Sequence, residues 1–216
     1  MADDDHNPDA ATEIGGWGPW INGGAWLHCA GAKVDILYRD TLLVEQTIAN
    51  CRAGRVRTEY QEGHPYAFHS HMLAGEAHYN RPLWDPDGIV SRLRAETNPY
   101  PDALAHAIVN RFLPEAEFTR TLIAQQASRV DAYYSAGLHF RLISCLVQTI
   151  FAANRAYFLN EKGSLRELMD LRWTPAEFMA RADALIRGHL ERRLDAIGDL
   201  VSETRAIVAD LAMPPM

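Results

Sequence analysis

Asp35 is the one carboxylate in the apolar run Lys33-Val34-Asp35-Ile36-Leu37-Tyr38. An acid in a strand pattern calls for a charged neighbour such as Lys33 or Arg39, an exposed sheet face, or a metal ion. The loop Asn160-Glu161-Lys162-Gly163 offers different chemistry. A lysine at a helix junction reaches a phosphate as a mobile point charge, and a helix opening near Ser164 would turn free backbone N–H groups toward the same anion. The competing use is structural, because a cation and a glycine both close helix C-termini. Arg39, Arg55, Arg57 and Arg141 are weaker candidates for an anionic ligand, with surface ion pairing as the alternative for each. His64, His69, His71 and His78 are dense for so short a segment. On a strand, His69 and His71 would suit two metal ligands. The segment reads as helix, however, where residues two apart face different directions, so hydrogen-bonded or surface histidines are expected.

The elements that must position these groups follow from period and punctuation. Trp20 to Cys29 and Ala32 to Arg39 read as two strands joined at Ala30-Gly31, with Asp35 on the face opposite Val34 and Ile36. Asp40 and Thr41 cap a helix that carries Leu43, Val44, Ile48 and Cys51 on one stripe and stops at Gly54. A short strand over Val56 to Tyr60 completes the small sheet, Gly63-His64-Pro65 turns, and Ala67 to Tyr79 has helical composition. Asp85-Pro86 opens a helix with Ile89, Val90 and Leu93 as its buried stripe, which makes Asp85 a cap rather than a catalyst. Asn98-Pro99-Tyr100-Pro101 breaks the chain and is taken as the domain boundary. Beyond it the period is 3.6. One amphipathic helix carries Leu104 to Leu122 with a kink at Pro114, and a long one runs from Asp131 to Phe158, antiparallel to it. Pro175 to Arg187, capped by Thr174 with Glu177 three residues on, and Leu190 to Leu211 complete a four-helix bundle, with a shorter helix after Ser164. The expected class is therefore α+β: a disordered acidic tail over 1–14, a mixed β-sheet with flanking helices over 15–98, and an all-α bundle over 99–216.

Several stretches carry a family likeness. Gly15 to Leu27, Val34-Asp35 with Tyr38-Arg39-Asp40, Cys51 to Val56, Gly63 to Pro65, Arg81 to Gly88 and Leu159 to Gly163 together resemble bacterial nucleotidyltransferase-like proteins of the DNA polymerase β superfamily, relatives of the antibiotic nucleotidyltransferases. The resemblance implies transfer of a nucleotidyl group from a nucleoside triphosphate to a small-molecule acceptor such as a hydroxyl. Two Mg²⁺ ions bridged by three carboxylates would stabilise the incoming oxygen and the departing pyrophosphate. In that family two carboxylates come from a D-x-D after a Gly-Ser turn, and the third from a later strand. Asp35 matches the third, as catalytic residue and metal ligand, and the resemblance puts Lys162, Asn160 and Arg39 on the nucleotide. The Gly-Ser turn and D-x-D belong upstream of Gly15, where Asp3-Asp4-Asp5 has neither a preceding Gly-Ser nor an apolar strand around it and reads as a solvated terminus. The expectation is a remnant of the nucleotidyltransferase sheet that lacks its first strand-helix-strand and is weakly active or inactive alone. The alternative is a non-catalytic nucleotide-binding or oligomerising protein, with a homodimer or a partner subunit covering an open strand edge and the apolar face around Trp17, Trp20 and Trp26.

Composition bounds the partners. The 216 residues are 48% hydrophobic and 23% charged, enough for a sizeable core in one or two domains. A net charge of −7 argues against nucleic acid and membrane surfaces, which reward basic patches. Cys29, Cys51 and Cys145 show no C-x-x-C spacing, which fits a reducing cytoplasmic compartment. No apolar run is expected to be long enough for a membrane span, and the acidic start lacks the order of a signal peptide.

Overall fold

The structure, a computed structural model, describes residues 11–126, 131–187 and 193–210. These residues carry eight α-helices and two separate two-stranded antiparallel sheets, so the fold mixes α and β with helix dominating. The chain divides into two compact units between Gln46 and Thr47. The Asn98 to Pro101 break, expected as the boundary, therefore lies inside the second unit.

In the first unit β1 (Gly24–Cys29) pairs with β2 (Ala32–Leu37) through the expected turn. Ala30 and Gly31 have φ of +49° and +81°; two left-handed residues make the primed turn whose twist matches the strands. Trp26 stands opposite Asp35 and Leu27 opposite Val34, so Asp35 is on the face away from Val34 and Ile36. Ala11 and Thr12 are not part of a free tail. Ala11 bridges Ala25, the Thr12 N–H donates to the Gly24 carbonyl at 2.8 Å, and the Gly24 N–H donates to Thr12 Oγ1 at 2.9 Å. The Asp3-Asp4-Asp5 triplet lies outside the described residues. Helix α1 (Thr41–Arg52) follows, capped as expected by Asp40, whose Oδ1 accepts the Leu42 N–H at 2.9 Å.

The second unit differs from expectation first at its strands. β3 (Thr58–Glu59) does not extend the hairpin; it pairs with β4 (Phe68–His69) as a sheet of its own. The helix after it, α2 (His71–Tyr79), starts four residues later than its composition suggested, because Phe68 and His69 are drawn into that pair. Helix α3 (Ile89–Glu96) opens later than Pro86, with Gly88 as its cap residue, and the Asp85 carboxylate reaches its first turn from outside, accepting the Val90 and Ser91 N–H groups at 3.1 and 2.9 Å.

Helices α4 (Asp102–Gln126), α5 (Ala132–Ala153), α7 (Phe178–Arg187) and α8 (Arg193–Asp210) form the expected bundle. α4 and α8 both pack on α5 and on each other, and α7 lies against α5 and α8. Asp102 meets Arg155 just beyond α5, and Glu115 meets Arg141. Contacts that advance along α4 as they retreat along α5 show an antiparallel pair. α4 continues as one helix through Pro114. α5 stops at Ala153, earlier than Phe158, with Asn154 closing it. It is buried on every side from Leu142 to Ala153, the signature of a central core helix. α5 is also long and apolar enough to cross a bilayer, contrary to the sequence reading, but 72% of its most apolar stretch is buried inside the protein. Between the long helices lies α6 (Ser164–Glu167), one turn followed by a 3₁₀ turn at Leu168–Asp170. Thr174 does not cap α7: its hydroxyl donates back to the Leu168 carbonyl, Glu177 sits at φ +55°, and the helix begins at Phe178. The expected ends Leu190 and Leu211 of the last helix lie outside the described residues.

Candidate functional site

Asp35 is exposed on β2 and forms an ion pair with Lys33 at 3.3 Å. Arg39, expected on a nucleotide, is engaged within the hairpin: its Nη1 donates to the carbonyls of Ile21 and Tyr38 at 3.0 and 2.8 Å. These bonds tie the end of β2 to the Trp20-Ile21 turn. The magnesium pair that the resemblance implies does not fit the described residues. Asp35 is the one carboxylate of the two strands, it is partnered by a cation, and no group of three or more His, Cys, Asp or Glu side chains placed to hold a metal occurs among the described residues. A two-ion site needs several oxygen ligands.

The second unit assembles a denser polar cluster. Its centre is Glu161, in the loop ahead of α6. Glu161 Oε1 accepts the Tyr66 backbone N–H at 3.2 Å, and Oε2 lies 3.4 Å from His64 Nδ1. One carboxylate thus joins the Gly63-His64-Pro65 turn to the Asn160–Gly163 loop, segments 95 residues apart by the Tyr66–Glu161 bond. Burial alone would raise the Glu161 pKa; His64 and the N–H groups of Glu161 and Tyr66 outweigh it, and the carboxyl is held below its ordinary value. The rest of the loop is set locally. Asn160 Oδ1 accepts the Lys162 N–H at 2.8 Å, an Asx turn that makes Asn160 a shaper of the loop. Gly163, in the left-handed region at φ +84°, leads into α6. Lys162 is exposed, and its ammonium has no ion-pair partner among the described residues. Of the N–H groups expected to be free near Ser164, that of Ser164 donates to the Glu161 carbonyl, and those of Arg166 and Glu167 donate to the Gly163 carbonyl.

Behind the loop, the Tyr66 hydroxyl donates to Glu115 Oε1 at 2.6 Å and lies 3.3 Å from Cys145 Sγ. With its proton committed to the carboxylate, Tyr66 accepts from the thiol. Arg141 completes the set, 2.7 Å from Glu115 and over the Tyr66 ring. Arg55 bonds Asn50 and Arg57 pairs with Glu59, so these former phosphate candidates act as structural pairs. Tyr66, Phe140, Ser144, Gln148, Phe158 and Glu161 are among the residues lining a mostly apolar cavity of about 90 Å³. That volume holds several waters but no nucleotide, since ligand pockets usually run to roughly 300 Å³ or more.

His69 and His71 are the buried, hydrogen-bonded kind rather than surface histidines, although helical geometry is not the reason, because His69 is on a strand and His71 opens a helix. Their rings stack at 5.7 Å with planes 9° apart. His69 Nδ1 shares a hydrogen bond with Thr58 Oγ1 at 2.9 Å, and His71 Nε2 donates to Gln148 Oε1 at 3.0 Å. A carbonyl oxygen only accepts, so His71 carries its proton on Nε2; its Nδ1 and the His69 Nε2 have no partner among the described residues. Burial holds both rings neutral. It drives the His71 pKa down to about 4, with Gln148 partly opposing and Arg111 assisting. For His69, burial first and then the neighbouring His71, Arg111 and His64 bring it to about 2.

A family model described as a domain of unknown function, DUF4037, matches residues 67–162. The matched span runs from the residue after Tyr66 to Lys162, so the chain is similar to that family over the histidine pair, α4, α5 and the Glu161 loop, while the hairpin with Asp35 is outside it. No curated protein and no solved structure matches the chain.

Sequence reading singled out the Glu161 loop but assigned its roles to Asn160 and Lys162, and it missed Tyr66, Glu115 and Gln148. The signal for Tyr66 was its place beside the Gly63-His64-Pro65 motif. Glu115 and Gln148 had none, because each looks like an ordinary helix residue until its partner is known.

Proposed function

We propose that this chain is a nucleotidyltransferase-like protein that binds a nucleoside triphosphate through the loop carrying Lys162 and does not turn it over by itself. The observation that carries this reading is the docking of the Asn160–Gly163 loop: Glu161 is consumed in holding Tyr66 and His64, while the adjacent Lys162 is left exposed and without an ion-pair partner among the described residues. An ordered loop that presents one unpaired lysine gives a phosphate a preorganised point charge. The lack of turnover follows from the donor set, since Asp35 alone cannot hold two hard cations. Transfer to a small acceptor remains the chemistry of the complete family pattern, with Asp35 in the position of its third carboxylate. A cytoplasmic setting is part of the same reading, supported by three free cysteines.

Calorimetry with ATP, with and without Mg²⁺, tests the binding half. A charge-assisted contact of about 1.5–3 kcal/mol predicts a loss of about tenfold or more for Lys162→Ala; unchanged binding in that variant refutes it. Pyrophosphate release from the wild-type chain that disappears in Asp35→Asn would refute the non-catalytic half.

A further inference from the structure

The hairpin of the first unit presents a strand edge whose pattern is complementary to itself. Among the described residues β2 pairs with β1 alone, and all six of its residues are exposed. A two-residue primed turn makes Cys29 and Ala32 the closing hydrogen-bonded pair, and the alternation then continues through Leu27 with Val34 and Ala25 with Ile36. The Tyr38 N–H donating to the Gly23 carbonyl at 2.8 Å keeps the same phase. Ala32, Val34 and Ile36 therefore spend their backbone groups on β1, while Lys33, Asp35 and Leu37 aim theirs at the open edge. That edge has no proline and no bulge to blunt it.

We propose that this edge is the interface for a second copy of the same chain, β2 pairing antiparallel with β2 of the other copy to make one four-stranded sheet. Hydrogen bonding restricts the register. Outward groups must face outward groups, so residues 33, 35 and 37 stand opposite one another in some order. A two-fold axis at Lys33 sets lysine against lysine, and one at Asp35 sets carboxylate against carboxylate; both are unfavourable. A two-fold axis at Val34 sets each Lys33 against the other copy's Asp35, twice. The same axis puts Val34 against Val34 and Ala32 against Ile36 on the opposite face, joining exposed apolar side chains into one strip. Val34 and Ile36 are 38% and 40% exposed, and Leu37 and Trp26 flank the charged face at 48% and 64%. Axes at Ile36 and Leu37 set Asp35 against Leu37 or Leu37 against itself and match no opposite charges within β2, so charge complementarity selects one register and one occupant. The inference stands independently of nucleotide binding, since it uses no residue of the Lys162 loop.

Sedimentation equilibrium of the full chain tests it. The wild type is expected to show a concentration-dependent dimer. Lys33→Glu sets two glutamates against two aspartates, and Asp35→Lys sets lysines against lysines; each is expected to weaken the dimer by about tenfold or more. Mixed together, the two variants restore complementary pairs and are expected to form a one-to-one heterodimer, and the double exchange K33D with D35K is expected to dimerise near wild-type strength. The mixing and exchange arms separate lost pairing from lost folding. A wild type that stays monomeric at all concentrations overturns the proposal, as does a dimer indifferent to the single reversals, or a mixture and exchange that fail to recover it.

Discussion

Acid should destabilise the second unit through its buried histidines, by an amount set by their pKa shifts. His71 titrates near 6.5 in an unfolded chain but is held at about 4 in the fold. Above pH 6.5 both states are neutral at this ring and it adds no pH dependence. Between 6.5 and 4 the unfolded chain binds a proton that the folded chain refuses, so stability falls as pH falls; below 4 both are protonated and the loss levels off. At 1.36 kcal/mol per unit the full loss is about 3 kcal/mol, and about 2.5 kcal/mol of it has accrued by pH 4.5. His69, held lower still, acts in the same direction. Glu161 also loses stabilising charge in acid, because its carboxyl is held below its ordinary value. The histidine part is isolated by His71→Gln, whose amide can keep a bond to Gln148 but does not titrate. Urea unfolding followed by tryptophan fluorescence and circular dichroism, at pH 7 and pH 4.5, gives the stability of both proteins at both pH values. The variant is expected to be less stable at pH 7, yet to lose about 2.5 kcal/mol less than the wild type between the two pH values. Equal losses in the two proteins would show that His71 is not the buried neutral ring argued above.

Two further outcomes test other parts of the molecule. Gly24→Ala places a Cβ against the Ile36 carbonyl oxygen; backbone cannot yield there, so the hairpin should open, and the Trp17 and Trp26 rings, stacked with centroids 4.8 Å apart, should separate, which near-ultraviolet circular dichroism would read, with loss of any β2-mediated dimer. Among the thiols, Cys29 is exposed, while burial pushes Cys51 and Cys145 up to about 12. A thiol reagent at pH 8 should therefore label one cysteine quickly in the folded chain and all three in denaturant; rapid labelling of Cys145 would contradict its packing beside Tyr66.

Some of the architecture follows from local sequence because the forces that set it are local. The Ala30-Gly31 turn, the face of Asp35, the cap at Asp40 and the four long helices each depend on residues within a few positions of one another, so period and capping chemistry suffice to read them. The site depends on partners far along the chain. Which of Glu161 and Lys162 is drawn inward and which stays exposed was decided by Glu161 meeting His64 and, 95 residues away, the Tyr66 N–H. Thr58 and Glu59 looked able to complete the hairpin sheet, but Phe68 and His69 took them, and that pairing moved His69 off a helix and into contact with His71. Thr174 had the right neighbours for a cap, yet its hydroxyl found the Leu168 carbonyl. A polar side chain buried by folding must take whatever partner the packed chain brings to it, because leaving it unpaired costs roughly 1–3 kcal/mol. Sequence specifies which groups need partners; packing specifies who they are.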